Sequence, residues 1–130
     1  MRLLLDTHIL VWLAKRPEKL TIAERASLAR PGAQFFVSSA SIWELRIKWA
    51  SRRPTGRHEL LEPFEAIAFA ERQGFELAAL APADAATSLA MPLEHRDPFD
   101  EMLLIHADRL GAKLFTRDRL LVSHPLAYRP

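Results

Sequence analysis

The sequence predicts an α/β domain in three layers, with a central parallel sheet between helices. Two observations carry that prediction. Four short apolar or aromatic runs, Leu3-Leu4-Leu5, Gln34-Phe35-Phe36-Val37, Phe75-Glu76-Leu77 and Lys113-Leu114-Phe115-Thr116, are separated by stretches of helical periodicity, and strands that alternate with helices form parallel sheets wrapped on both faces. At 130 residues with 49% apolar content, the chain can bury one core but not two separate ones. A single domain over residues 1–130 follows.

Taken in order, Leu3-Leu4-Leu5 reads as a buried strand that ends at Asp6-Thr7-His8 and feeds a helix carrying Ile9, Leu10, Val11, Trp12 and Leu13. A second helix covers about residues 21–30, with Thr21 and Glu24 at capping-box spacing. Strand two, residues 34–37, runs through Ser38-Ser39-Ala40-Ser41 into a helix bearing Ile42, Trp43, Ile47, Trp49 and Ala50, which Pro54 breaks. Residues 63–72 form the next helix, stopped by Gly74 ahead of strand three, and a short helix lies near residues 83–89. Asp97-Pro98 then opens a longer helix with Phe99, Met102, Leu103, His106, Ala107 and Leu110 on one face. Gly111 holds the position after its end, and strand four, residues 113–116, runs into Arg117-Asp118.

Composition excludes several chemistries. There is no cysteine, hence no disulfide framework, thiolate nucleophile or cysteine zinc site, which suits a reducing cytoplasm. Every apolar run is soon broken by charge, as when Leu3-Leu4-Leu5 meets Asp6, so no leader or membrane span is expected. The net charge of +2 and pI of about 9.4 are compatible with a polyanionic partner.

The positions of the acids are the informative feature. Asp6 follows strand one and Asp118 follows strand four; in a parallel open sheet the carboxyl ends of the strands share one edge, where ligands bind. Glu44, early in the helix after strand two, and Asp100, in the first turn of the helix before strand four, can lean over that same edge. Four clustered carboxylates repel and raise one another's pKa unless a cation joins them. Mg²⁺ or Mn²⁺ is the natural choice, with a phosphodiester as the matching substrate. Each acid also has an ordinary structural reading. Asp97 with Pro98 is a helix cap, Asp100 complements a helix dipole, Asp118 can cap a turn, and Ser41 with Glu44 fits a capping box.

The order Leu-Leu-Leu-Asp6-Thr7-His8, Ser-Ile-Trp43-Glu44-Leu45, His95-Arg96-Asp97-Pro98-Phe99-Asp100 and Thr116-Arg117-Asp118 resembles PIN-domain nucleases, specifically the VapC-type toxins, along nearly the whole chain. The resemblance implies a Mg²⁺- or Mn²⁺-dependent endoribonuclease that cuts RNA, dimerises and is silenced by a cognate antitoxin. It makes Asp6, Glu44, Asp100 and Asp118 the metal-binding and catalytic acids, with Asp97 as a helper. Glu101 departs from the pattern, since relatives often carry Arg after the third acid.

Around this set, Thr7 and Thr116 can orient carboxylates through their hydroxyls, while His8, His95 and His106 are read as structural, and no histidine pair has zinc spacing. Trp12 and Trp43 are assigned to the core, the latter because Trp43, Ile47 and Ala50 are spaced as a buried stripe, and Trp49 is left open. Arg46, Lys48, Arg52, Arg53 and Arg57 form a basic set that either tracks an RNA backbone or is a solvated helix face. Three alternatives stay open: an RNA-processing nuclease without a toxin role, a phosphatase using Asp6 as nucleophile, and a silent PIN-like binding module. The phosphatase is disfavoured because His8 stands where its second acid belongs.

Overall fold

A computed structural model describes residues 1–51, 60–95 and 97–130. Five parallel strands, β1 (Arg2–Leu5), β2 (Gln34–Ser38), β3 (Glu76–Ala78), β4 (Lys113–Phe115) and β5 (Ala127–Tyr128), lie in the order β3-β2-β1-β4-β5. The helices are α1 (Thr7–Lys15), α2 (Ile22–Leu28), α3 (Ser39–Ala50), α4 (Pro63–Arg72), α5 (Pro82–Ala86) and α6 (Pro98–Arg109), with a 3₁₀ turn at Pro17–Lys19.

Alternation along the strands divides the core into two faces. Leu3, Leu5, Phe35, Val37 and Phe115 pack with Ile9 and Leu10 of α1 and Ala66 and Ala70 of α4 on one side. Leu4, Phe36 and Leu114 pack with Leu103, Leu104 and Ala107 of α6 on the other. This is the three-layer arrangement expected, since a parallel sheet must bury both faces.

The helix boundaries follow their local chemistry. Thr21 Oγ1 accepts from Glu24 N at 3.1 Å and Glu24 Oε2 from Thr21 N at 2.8 Å, completing the capping box on α2. Gly74 and Gly111, at φ 75° and 65°, close α4 and α6. In each the next two amides turn back, Gly74 N to Glu71 O and Phe75 N to Ala70 O, Gly111 N to Asp108 O and Ala112 N to Ala107 O, the doubled bond of a Schellman end. Helix α5 stops at Ala86, short of the expected residue 89, where Thr87 takes an extended backbone and bonds Ala83 O through its hydroxyl. Strand β5 was not anticipated. At two residues it is too short to show a period, and it is held by pairing with β4.

Helix α3 corrects the reading of Trp43. Its buried side chains are Ala40, Ser41 and Leu45, whereas Trp43 is 54% and Ile47 41% exposed and Ala50 is exposed. Small residues on the inner face let α3 approach α1, α4 and α6 closely, which turns the bulky stripe outward. There Trp43 meets Phe99 edge to face at 5.3 Å. Trp12 is partly buried against the first core face, and Trp49 is partly buried. His106 is structural, as expected: it is buried and its Nδ1 shares a hydrogen bond with Ser38 Oγ at 2.8 Å.

Glu24 ties distant parts of the chain. It is buried in the α2 cap and accepts from Arg117 Nε at 2.8 Å and Nη2 at 2.6 Å. Burial alone would raise its pKa, but the hydrogen bonds from Arg117 and Thr21 hold it below the usual carboxylate value. Glu24→Ala removes a cap and strands a guanidinium, and should cost about 2–3 kcal/mol at neutral pH. A group with a lowered folded pKa stabilises above its unfolded pKa and loses that contribution as pH falls through the folded value. Urea melts should therefore show the gap between wild type and variant shrinking once pH drops below about 4.5; a gap that is constant across that range would refute the ionic account.

Candidate active site at the carboxyl edge of the sheet

The strand order reverses at β1. The chain leaves β1 for β2 on one side and returns as β4 on the other, so their carboxyl ends open a crevice. Asp6 leaves β1 there. Its amide donates to Phe115 O at 3.0 Å, and its Oδ2 accepts from Thr116 Oγ1 at 2.6 Å. Although Asp6 stands at the N-cap of α1, its side chain makes no capping hydrogen bond to the amides of the first turn beyond Thr7. The carboxylate is 4% exposed and turned into the crevice wall. Thr116 Oγ1 also accepts from Asp118 N at 3.1 Å, and Asp118 Oδ1 takes Leu120 N at 2.9 Å. The turn-capping role of Asp118 and its place at the crevice are therefore both real.

From the neighbouring strand, α3 brings Glu44. Thr7 Oγ1 donates to Glu44 Oε1 at 2.8 Å and lies 2.9 Å from the buried Ser41 hydroxyl. Lys48 Nζ sits 2.8 Å from Glu44 Oε2. The capping-box reading of Glu44 is thereby removed: Ser38 caps α3 by accepting from Ala40 N, and Ser41 is spent on Thr7. From α6, Asp100 Oδ2 lies 2.9 Å from His95 Nε2. Asp97 caps the helix through Oδ1, which accepts from Phe99 N and Asp100 N.

Asp6, Glu44, Asp97, Asp100 and Asp118 line one cavity of about 210 Å³, together with His8 and Lys48. Burial pushes the Asp6 carboxyl up, with the Glu44 charge adding to it against the Thr116 hydrogen bond. Burial raises Asp100 likewise, and the charges of Asp97, Asp6 and Asp118 add to it while His95 opposes. The donor set is all carboxylate oxygen and its five acids outnumber the one lysine beside them, a chemistry that suits a hard divalent cation such as Mg²⁺ or Mn²⁺. Among the described residues, no three acidic or histidine side chains stand close enough together to hold a metal ion as they are placed. Glu44 is drawn to Lys48 and Asp100 to His95, and both contacts are made by rotatable side chains.

The basic set anticipated on α3 is divided. Lys48 turns into the acid cavity, while Arg46 lies with Trp43, Trp49 and Phe64 along a separate apolar groove, so the two do not form one track. Arg52, Arg53 and Arg57 lie outside the described residues, as does Arg96. Glu101 is exposed on the first turn of α6. Sequence reasoning missed Ser41, the Lys48 partnership and the His95 contact with Asp100. The Glu44/Lys48 spacing of four carried a signal for the second; for the first, S-x-x-E pointed elsewhere.

The PIN domain family profile matches residues 3–123. Ribonuclease VapC22 of Mycobacterium tuberculosis (strain ATCC 25618 / H37Rv) is 30% identical over 122 residues, covering 93% of this chain and 90% of that protein. Among solved structures, VapBC2 from Rickettsia felis, bound to a DNA fragment from its promoter, aligns with a TM-score of 0.64 at 15% identity over 98% of this chain and 96% of that one. VapBC-1 from nontypeable Haemophilus influenzae aligns with a TM-score of 0.51 at 23% identity over 91% and 87%. A sheet that reverses at its first strand, acids at that reversal and a match over nearly all of the chain lead to one assignment: the chain belongs to the PIN domain family, in its VapC branch.

Proposed function

We propose that the protein is a Mg²⁺- or Mn²⁺-dependent endoribonuclease, the toxin of a toxin–antitoxin pair, working in the cytoplasm as a homodimer that a cognate antitoxin silences. The observation that carries this reading is the convergence of five carboxylates on one cavity at the sheet's switch point, in a chain related to a named ribonuclease. Asp6, Glu44, Asp100 and Asp118 would hold the cation. Asp97, whose Oδ1 is spent on the helix cap, helps through its other oxygen. When bound, the ion activates water and offsets charge on the phosphate. Thr116 and Thr7 fix the rotamers of Asp6 and Glu44 through the hydrogen bonds described, and Lys48 serves as counter-ion to Glu44. Arg46 remains exposed for RNA backbone contact, and Arg52 and Arg53 are assigned the same role from sequence.

Calorimetric titration with Mn²⁺ should show binding in the wild type and severe loss in Asp6→Asn and Asp100→Asn, with RNA cleavage abolished in both. Thr116→Val, which keeps every acid but frees Asp6, should lose about 10–100-fold in metal affinity. Wild-type Mn²⁺ binding in both Asn variants would sink the assignment.

The raised acids make a second prediction. A carboxyl whose folded pKa exceeds its unfolded value binds more protons folded than unfolded, so stability falls as pH rises from about 3.8 through the folded value. In EDTA at neutral pH, Asp100→Asn should melt above wild type, the gap should close as pH drops to 4, and Mn²⁺ should reverse it. A variant that melts below wild type in EDTA at neutral pH would show that the His95 contact outweighs the repulsion.

The same charge deficit bears on the antitoxin. A guanidinium can satisfy paired carboxylates bidentately, and Lys48 shows that a cationic side chain is accommodated beside Glu44. The antitoxin should therefore insert an Arg among the acids. Affinity of the purified pair should drop when Asp6→Asn is introduced; equal affinity would place the antitoxin on another surface.

A further inference from the structure

Beside the acid cavity lies a second one of about 260 Å³, lined by Asp6, His8, Ile9, Trp12, Arg117 and Asp118. The two share Asp6, His8 and Asp118, so whatever occupies the second sits next to the reacting centre. Its wall is a graded stack. The His8 ring lies 5.8 Å from Trp12 at a tilt of 36°, and the Arg117 guanidinium lies 4.2 Å over the Trp12 ring. Arg117 is not free to bind an anion, because Glu24 takes its Nε and Nη2 and Lys19 O takes Nη2 as well. These bonds hold it as a rigid backing for the indole.

The remaining charges in this cavity, Asp6 and Asp118, repel phosphate. A flat neutral group with a π face suits it instead. Farther along, a third cavity contains Thr116 and Arg117 together with Arg119 and Arg129. Both of the latter are exposed and neither has an ion-pair partner among the described residues. A stacking site that repels phosphate, followed by two free cations, matches the alternation of base and phosphate along a single strand.

We propose that the His8–Trp12–Arg117 cavity is a nucleobase subsite, which seats one base of single-stranded RNA beside the acid cluster while Arg119 and Arg129 hold the next phosphate. The inference rests on the ribonuclease reading and names how its substrate is gripped. It also assigns His8 a role in binding, where sequence reading gave it a structural one.

The test compares, in EDTA, binding of a short single-stranded RNA with binding of an abasic ribose-phosphate strand of equal length. Wild type should favour the strand with bases by about 5–150-fold, the equivalent of roughly 1–3 kcal/mol for one stacked base. His8→Ala, at an exposed position, and Trp12→Leu should each reduce that preference without weakening the abasic strand. Arg119→Ala should weaken both strands and flatten the salt dependence. Should wild type cleave RNA while both His8→Ala and Trp12→Leu keep its full preference, the subsite is overturned and the ribonuclease reading stands. A wild type that neither binds RNA nor cleaves it with Mn²⁺ overturns the reading and the subsite together.

Discussion

The register between β1 and β4 determines what meets at the carboxyl edge. Leu5 pairs with Phe115, so the next residues on the two strands, Asp6 and Thr116, are brought side by side and joined by a 2.6 Å hydrogen bond. Side chains alternate with a period of two, so a slip of one residue in either strand would send its Leu4 or Leu114 toward the wrong core face and separate that pair. The two buried faces therefore enforce the geometry of the acids. The packing that stabilises the sheet and the placement of the site are one constraint.

The site that results concentrates negative charge in a partly dry crevice, and the fold bears this through short polar contacts. Thr116, Thr7 with Ser41, Lys48 and His95 each engage one of the acids. No buried side-chain nitrogen or oxygen among the described residues lacks a partner. The cluster is thus electrostatically costly, yet none of its buried oxygens is left without a partner.

Much of the fold was legible because its signals are local. The strand at Leu3-Leu4-Leu5, the Thr21 cap, the Asp97-Pro98 start and the stops at Gly74 and Gly111 each follow from chemistry within a few residues. The strand-end acids were legible because parallel topology converts sequence position into spatial position. What escaped depends on packing or on distant partners. Trp43 looked buried because its spacing with Ile47 and Ala50 is that of a buried stripe, whereas α3 chose its inner face by smallness, at Ala40 and Ser41. The α3 cations read as one patch until Glu44 claimed Lys48. The Arg117 bond to Glu24 spans 93 residues, and no periodicity could disclose it or the indole it supports.

One detail of α1 shows what selection has weighed here. Its first residue follows Asp6, which has the right chemistry to cap the helix but spends Oδ2 on Thr116 and makes no capping bond. Asp is among the residues that most favour the cap position, and a lost cap typically costs about 1 kcal/mol. A Ser at that position, freed of the crevice, would suit the helix better and strip the pocket of its most deeply buried acid. Marginal proteins keep such imperfections where activity requires them. The first turn of α1, closed by Leu10 N on Asp6 O yet without a side-chain cap, is therefore a stabilising opportunity that the chain has left unused.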